Sequence, residues 1–286
     1  MEKLIIYGAG QLGRRIYDEM DRPERVVCFA DNNPNVQGTE YKGIPIMAPT
    51  EAFPHVAYDR VIVATIMGMK EVQRELRDVY GLSRSKIDIS YAEIPLRARI
   101  SFVKYFARML KKDGISASVA EAGVFRGEFA KEINHYFPDS SLYLFDTFEG
   151  FAEKDLEEEH ARSDTKESLL KNTSDYLAET SVERVLSRME HPEKVIIKKG
   201  YFPDTAKDVD DQFCFVNLDL DLYQPTKEGL YFFYPKMVKG GVILIHDFFS
   251  GFYVLDQAVS EYEEETGARL ARFPIGDEYS LGIIKI

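Results

Sequence analysis

The sequence predicts an α/β fold in two domains: a small half-sheet unit over residues 1–90 and a larger doubly wound sheet over residues 91–286. Three observations carry this prediction. Short apolar runs such as Leu4–Tyr7 and Phe213–Leu218 alternate with stretches of helical apolar spacing, the pattern of parallel strands joined by helical crossovers. A strand, a glycine turn, a helix and a second strand ending in an acid occur in that order twice. In both copies 23 residues separate glycine from acid, Gly8 from Asp31 and Gly123 from Asp146, close to the roughly 20 that one crossover between parallel strands needs. Finally, 286 residues with 45% apolar content can fill two cores.

Composition narrows the function classes. With 36 Lys and Arg against 48 Asp and Glu the net charge is −12, so a nucleic-acid backbone would be repelled unless a local basic patch outweighed the field. The basic residues Arg97, Arg99, Lys104, Arg108, Lys111 and Lys112 read as the solvated face of a helix rather than such a patch. No run reaches the roughly 18 apolar residues of a membrane helix, and the N-terminus, a short strand leading into a glycine turn, lacks the plan of a signal peptide. Cys28 and Cys214 both lie in apolar, strand-like runs. Two buried thiols make no disulfide framework, and a reducing cytoplasm is expected.

In the first domain, Leu4–Tyr7 is a buried strand followed by Gly8-Ala9-Gly10-Gln11-Leu12-Gly13, a helix carrying Ile16 and Met20, and a second strand, Val26–Ala30, that ends at Asp31. A glycine pattern placed between strand and helix offers the free N–H groups and positive dipole end of a helix start to a phosphate. Gly8, Gly10, Gln11, Leu12, Gly13 and Asp31 are therefore the nucleotide-site candidates, with a purely structural or dimerising role as the alternative; a homodimer stays open. Residues 45–47, 60–65 and 86–89 read as further strands and 70–80 as a helix. Asp31-Asn32-Asn33-Pro34 followed by Gly43-Ile44-Pro45-Ile46 resembles the small Rossmann-like domains at the N-termini of sugar-modifying enzymes of surface-polysaccharide pathways, which implies a nucleotide or nucleotide-sugar ligand. Residues 91–97, with Pro95 disfavouring helix in the residue before it, read as the linker, and 98–112 as a helix.

In the second domain, Glu121 stands where the dinucleotide pattern has its first glycine. An acid there repels a pyrophosphate but suits a cationic ligand with an amino group, so the residues point away from NAD and towards S-adenosylmethionine. Gly123 and Gly127 let the backbone approach a ligand, and Asp146 at a strand end can accept two hydrogen bonds from a ribose diol. The acidic stretch with Glu153, Asp155, Glu157, Glu158 and Glu159 reads mainly as a solvated insertion whose position also suits a lid. Residues 182–189 read as a helix and Val195–Lys199 as a strand that leads to Gly200 and Tyr201, where an adenine would lie. Phe213–Leu218 is an apolar strand running into Asp219-Leu220-Asp221, with Asp221 read as a helix-capping or packing acid. Pro225 opens a helix at its first turn. Gly240-Gly241 turns the chain into a strand at 242–245 that closes on His246-Asp247. Tyr223 and Lys227 mimic the Tyr-x-x-x-Lys dyad of short-chain dehydrogenases, a coincidence given Pro225 between them.

Glu121-Ala-Gly-Val-Phe-Arg-Gly127, Leu144-Phe-Asp-Thr-Phe-Glu-Gly150, Phe202-Pro-Asp-Thr205, Leu218-Asp-Leu-Asp-Leu-Tyr223 and Gly240-Gly-Val-Ile-Leu-Ile-His-Asp247 occur in this order. Together, over about residues 98–286, they resemble the macrocin O-methyltransferase (TylF-like) family, which methylates sugar hydroxyls with S-adenosylmethionine and a divalent metal. The resemblance implies a class I methyltransferase sheet. It also implies cofactor contacts from Glu121, Gly123, Phe125, Gly127, Asp146, Thr147, Phe148, Gly200, Tyr201 and Asp219, and metal ligation by Asp219, His246 and Asp247. The family's usual Asp-Asp pair is His-Asp here. An imidazole is less suited to Mg²⁺ than an oxygen ligand, so Mn²⁺ or a metal-free site stays open. The family also commonly carries an acid where Tyr201 stands.

The expectation is an S-adenosylmethionine-dependent O-methyltransferase acting on a hydroxyl of a sugar or nucleotide-sugar, with Asp219 and His246 catalytic and Asp219 taking the proton. Two alternatives remain: a nucleotide-sugar oxidoreductase using NAD at the first glycine turn, and a non-enzymatic relic of the fold.

Overall fold

The computed structural model describes residues 1–66, 68–163, 165, 167–250 and 253–286. Two compact units result, Met1–Arg97 and Ala98–Ile286.

The first unit contains β1 (Leu4–Tyr7), α1 (Gln11–Glu19), β2 (Val26–Ala30), β3 (Glu40–Tyr41), β4 (Ile44–Met47), α2 (Pro49–His55), β5 (Arg60–Val63), α3 (Met69–Asp78) and β6 (Ile87–Asp88). Its sheet runs β3-β4-β2-β1-β5-β6. The central strand β1 is parallel to both β2 and β5, and a strand with neighbours on both sides and helices on its faces must be apolar throughout. Leu4, Ile5, Ile6 and Tyr7 are all buried.

Residues 91–97, expected as a linker, instead lie within α4 (Ser90–Lys112). The apolar helical period runs straight through Pro95. Ala92 and Leu96 pack on the first core, and Val103, Phe106, Ala107 and Leu110 on a core of the second unit. Pro95 sits early in the helix, where its missing N–H removes a single bond from the ladder.

The second unit holds β7 (Ser118–Ala122), α5 (Ala130–Tyr136), β8 (Leu142–Asp146), α6 (Glu153–Arg162), α7 (Glu167–Leu177), α8 (Val182–Leu186), β9 (Val195–Lys199), β10 (Phe213–Leu218), α9 (Tyr223–Phe233), β11 (Met237–Ile245), α10 (Leu255–Thr266), β12 (Ala271–Pro274) and β13 (Leu281–Ile284). The sheet order is β12-β13-β11-β10-β7-β8-β9. The five strands from β11 to β9 are parallel, and β13 lies antiparallel on β11. All five parallel strands thus end at one edge, where ligands bind in open α/β sheets. This is the doubly wound class I methyltransferase sheet.

Three further expectations are corrected. Gly240 and Gly241 do not turn the chain between elements but lie inside β11, where the β10 ladder slips between Phe213 and Phe215. A Cβ on Gly241 would stand 3.0 Å from the Cys214 carbonyl oxygen, so the glycines permit a bulge. The acidic insertion is not solvated throughout: Asp155 and Glu159 are buried, one helical turn apart on α6. Asp221 does not cap α9. Leu222 holds the cap position, and the Tyr223 N–H donates instead to Glu159 Oε2 at 2.8 Å. Cys28 and Cys214 are free and buried, and burial pushes both thiols up to about 11, which leaves them inert.

Candidate functional site

The β7–β10 register sets Glu121 beside Asn217 and Ala122 beside Leu218. Strand alternation then puts Asp219, two residues past Asn217, on the same face as Asn217. The Asp219 N–H continues the ladder to the Ala122 carbonyl at 2.8 Å, and the His246 N–H donates to the Leu218 carbonyl at 2.9 Å. Polar side chains from three adjacent strand ends therefore converge. Asn217 Nδ2 donates to Glu121 Oε1 at 2.8 Å, while Glu121 Oε2 is buried without a partner. Burial, reinforced by the Asp219 charge, raises the Glu121 carboxyl well above the usual range.

Arg99, from α4, reaches over this face. Its Nη2 donates to Asn217 Oδ1 at 2.9 Å and to Asp219 Oδ2 at 3.0 Å, and its guanidinium carbon lies 3.8 Å from the centre of the Phe129 ring. Only 9% of Arg99 is exposed, which corrects its assignment to a solvated basic face.

At the glycine turn, Gly123 has φ +84, and a Cβ there would fall 1.8 Å from the Asp219 carbonyl oxygen. Only glycine fits. Asp146 is engaged differently from expectation. Its Oδ2 accepts the N–H groups of Val124 and Phe125 at 2.6 and 2.9 Å, and its Oδ1 that of Phe148 at 2.6 Å. A carboxylate has about four acceptor positions, and the turn takes three of them. Of the other expected cofactor residues, Phe125 packs against Tyr176, with Arg126 beside both rings. The Phe148 ring is in the core, and Thr147 donates to the Gly150 carbonyl. Gly127 faces Val185 and Met189. Thr147, Gly200 and Tyr201, with Glu149, Gly150, Phe151, Ala152 and Lys199, line an open cleft of about 560 Å³ past the ends of β8 and β9. Tyr201 donates to Asp155 at 3.0 Å, with the Lys154 ammonium 3.6 Å from its ring centre.

Asp219, His246 and Asp247 meet. His246 Nδ1 lies 3.0 Å from Asp219 Oδ1 and 3.2 Å from Asp247 Oδ2. Among the described residues these three are the one group of acid, His or Cys side chains whose ligand atoms all lie within 4.8 Å of one another. Burial and Arg99 oppose a charge on the imidazole, yet the carboxylates of Asp219 and Asp247 carry its pKa up to about 10. Burial alone would raise Asp219, but His246 and Arg99 hold its carboxyl well below the usual range. Asp221, at φ +60, is raised well above the carboxylate range by burial and by Asp247 and Asp219.

In the first unit, Gly8 has φ +110 and faces the Ala64 carbonyl, and a Cβ on Gly13 would lie 1.9 Å from the Gly8 oxygen. Gly10 caps α1 and has open space before it. Gln11 is exposed on the first turn, and the Leu12 side chain belongs to the core. Asp31 accepts the N–H groups of Ala9 and Asn33 at 2.7 and 2.8 Å, so it too is engaged with its own loop. The Tyr223–Lys227 pair does meet, Nζ to hydroxyl at 3.3 Å, because both stand on the first turns of α9. Lys227 is nonetheless held between Glu261 and Glu265 at 2.8 Å each, an ion-pair cluster rather than a proton-transfer dyad.

The profile of the macrocin O-methyltransferase (TylF) family matches residues 64–271. The chain belongs to that family. It is accordingly an O-methyltransferase, and S-adenosylmethionine is the family's methyl donor. A second profile, C2185-like N-terminal, matches residues 1–88. The 8-demethyl-8-(2,3-dimethoxy-alpha-L-rhamnosyl)-tetracenomycin-C 4'-O-methyltransferase of Streptomyces olivaceus is 26% identical over 65% of this chain and 72% of its own length. The demethyldecarbamoylnovobiocin O-methyltransferase of Streptomyces niveus is 26% identical over 73% of this chain and 76% of its own. Among solved structures, the O-methyltransferase NovP shares 21% identity and a TM-score of 0.53, over 66% of this chain and 79% of that one.

Sequence reasoning missed Arg99, Asn217 and Glu159. The signal for Asn217 was its place two residues before Asp219 on the same strand face. For Glu159 it was the spacing to Asp155, one helical turn away.

Proposed function

We propose that this protein methylates a hydroxyl of a sugar or sugar-bearing small molecule, with S-adenosylmethionine held at the second glycine turn. The observation that carries the reading is the buried, unpartnered Oε2 of Glu121 at the end of β7. An acceptor hidden from water is unfavourable unless a donor reaches it, and the ammonium of a methionine moiety is such a donor. Bound there, the sulfonium supplies both the methyl group and its leaving group. The relative named for a rhamnosyl-bearing tetracenomycin supports a sugar-linked acceptor.

The chain's own residues then have these roles. Glu121 holds the amino group. Gly123 lets the turn close on the Asp219 backbone, and Asp146 fixes that turn through its three N–H groups. The cleft beside Thr147, Gly200 and Tyr201 takes the base. Asp219, His246 and Asp247 suit a divalent ion, because two carboxylates and an imidazole nitrogen with no well-formed hydrogen bond face one another. A mixed oxygen–nitrogen donor set fits Mn²⁺ better than Mg²⁺. An ion held there would lower the pKa of the acceptor hydroxyl. Asp219, ionised beside Arg99 and His246, is the chain's acceptor for the hydroxyl proton in this reading. Alignment of acceptor oxygen, methyl and sulfur supplies the remaining catalysis.

For the first unit, a nucleotide or nucleotide-sugar phosphate at the start of α1 is the corresponding proposal. Calorimetry with S-adenosylhomocysteine, and a thermal-shift series setting it against NAD and nucleoside diphosphates, tests both readings. Binding of S-adenosylhomocysteine that Glu121→Gln weakens supports the first, and wild-type protein that ignores it defeats the reading. A chelator that leaves turnover intact would remove the metal from the scheme.

A further inference from the structure

We propose that Asn217 and Arg99 are positioning residues that couple the cofactor-side acid Glu121 to the acceptor-side acid Asp219. The inference rests on the cofactor reading given under Proposed function and adds communication between its two halves.

An unbroken chain of hydrogen bonds carries the proposal: Glu121 Oε1 to Asn217 Nδ2 at 2.8 Å, Asn217 Oδ1 to Arg99 Nη2 at 2.9 Å, and the same Nη2 to Asp219 Oδ2 at 3.0 Å. Glu121, Asn217 and Arg99 are 1, 0 and 9% exposed, so water does not substitute for the links among them, while Asp219 at the far end is 23% exposed. One nitrogen, Nη2, serves both ends. It cannot move towards Asn217 without loosening Asp219, or the reverse. The Phe129 face at 3.8 Å holds the guanidinium plane, which confines the adjustment to a shift along that plane.

Each end has an outlet. Glu121 Oε2 lacks a partner, so its grip on an ammonium depends on how strongly Oε1 is drawn to Asn217. Asp219 Oδ1 faces His246, so its hold on the acceptor side depends on how strongly Oδ2 is drawn to Arg99. Buried polar chains of this kind polarise one another, and their members act as a unit. A purely structural network would satisfy the same groups and stabilise the fold. A coupling network also makes the effect of a change at Asp219 felt at Glu121, over a path that the cofactor itself does not have to bridge.

The test is a double-mutant cycle on the full chain, read by calorimetry with S-adenosylhomocysteine and with thermal unfolding as a check of folding. Asp219→Asn removes the charge that draws Arg99, releases the guanidinium towards Asn217 and Glu121, and weakens S-adenosylhomocysteine about fivefold or more. In an Arg99→Met background, and independently in Asn217→Thr, the same Asp219→Asn change has less than about half that effect on a logarithmic scale. Either background suffices if the other does not fold. Equal losses in all folded backgrounds overturn the proposal, and so does an Asp219→Asn variant that binds as tightly as wild type. Wild-type protein that takes up no S-adenosylhomocysteine defeats the cofactor reading itself, a result distinct from additivity.

Discussion

The two glycine turns are built alike and end differently. In each, the acid that closes the second strand accepts the N–H of the residue after the first glycine, Ala9 to Asp31 and Val124 to Asp146. In each, that glycine has positive φ and lies against a neighbouring backbone carbonyl. Behind the first turn, β1 is apolar apart from the Tyr7 hydroxyl, which donates to Glu75 at 2.8 Å. Behind the second lie Glu121, Asn217 and Arg99, with two buried polar atoms left unpartnered, Glu121 Oε2 and Arg99 Nε. The backbone device is therefore a way to make a tight crossover. Chemistry resides in the polar groups behind it, and a glycine-to-acid spacing reports the device alone.

Substitutions can break or sharpen that contrast. The largest effect is expected at Asp219: Asp219→Asn lowers turnover by about 10²–10⁴-fold in a methyl-transfer assay while S-adenosylhomocysteine still binds. Next, Gly123→Ala places a Cβ 1.8 Å from a carbonyl oxygen and destabilises by about 3 kcal/mol or more in denaturant unfolding. Gly10→Ala, facing open space, stays within about 1 kcal/mol. Equal losses at both glycines would erase the distinction between a glycine pressed on a neighbouring carbonyl and one that faces open space. Glu121→Gln removes a charge-assisted bond of about 1.5–3 kcal/mol, so S-adenosylhomocysteine affinity falls about tenfold to a hundredfold.

A pH scan of metal-free protein probes the same cluster from the side of stability. The His246 pKa is raised from 6.5 to about 10, so its contribution is complete below about pH 6.5 and is lost as pH rises through about 10. Stability falls by up to about 1.4 kcal/mol per pH unit in that window, and His246→Gln flattens the slope. The smallest effect is expected away from the turns. Glu159→Gln weakens the bond to the Tyr223 N–H and costs about 1 kcal/mol in thermal unfolding.

Much of this was legible in the chain. The apolar runs at β1, β2 and β10 marked strands, because a strand flanked on both sides and covered by helices has no polar face to hide the signal. The helical period of α4 was equally visible, but Pro95 drew attention to a break that an early-helix proline does not cause. The motifs at Asp146, Asp219 and His246-Asp247 marked the strand-end edge, since each ends an apolar run in a polar group. What stayed hidden depends on contacts distant in sequence. Arg99 looks like one of six basic residues until β10 brings Asn217 and Asp219 under it. Glu159 looks like one of five solvated acids until the start of α9 supplies an N–H. The local string likewise gives Asp146 a free carboxylate, whereas its three N–H partners come from a turn 22 residues earlier and from its own loop.

The pairing of β7 with β10 has a consequence for how such a site can be altered. Glu121 and Asn217 are side by side because the two strands are aligned residue for residue, and Asp219 shares their face because it lies two positions on. Insertion or deletion of one residue in either strand would turn that strand's members of the set to the opposite side of the sheet and split it. Changes of length are confined to the connections beyond the strand ends, and the floor of the site can be rewritten only by exchanging one side chain for another in place.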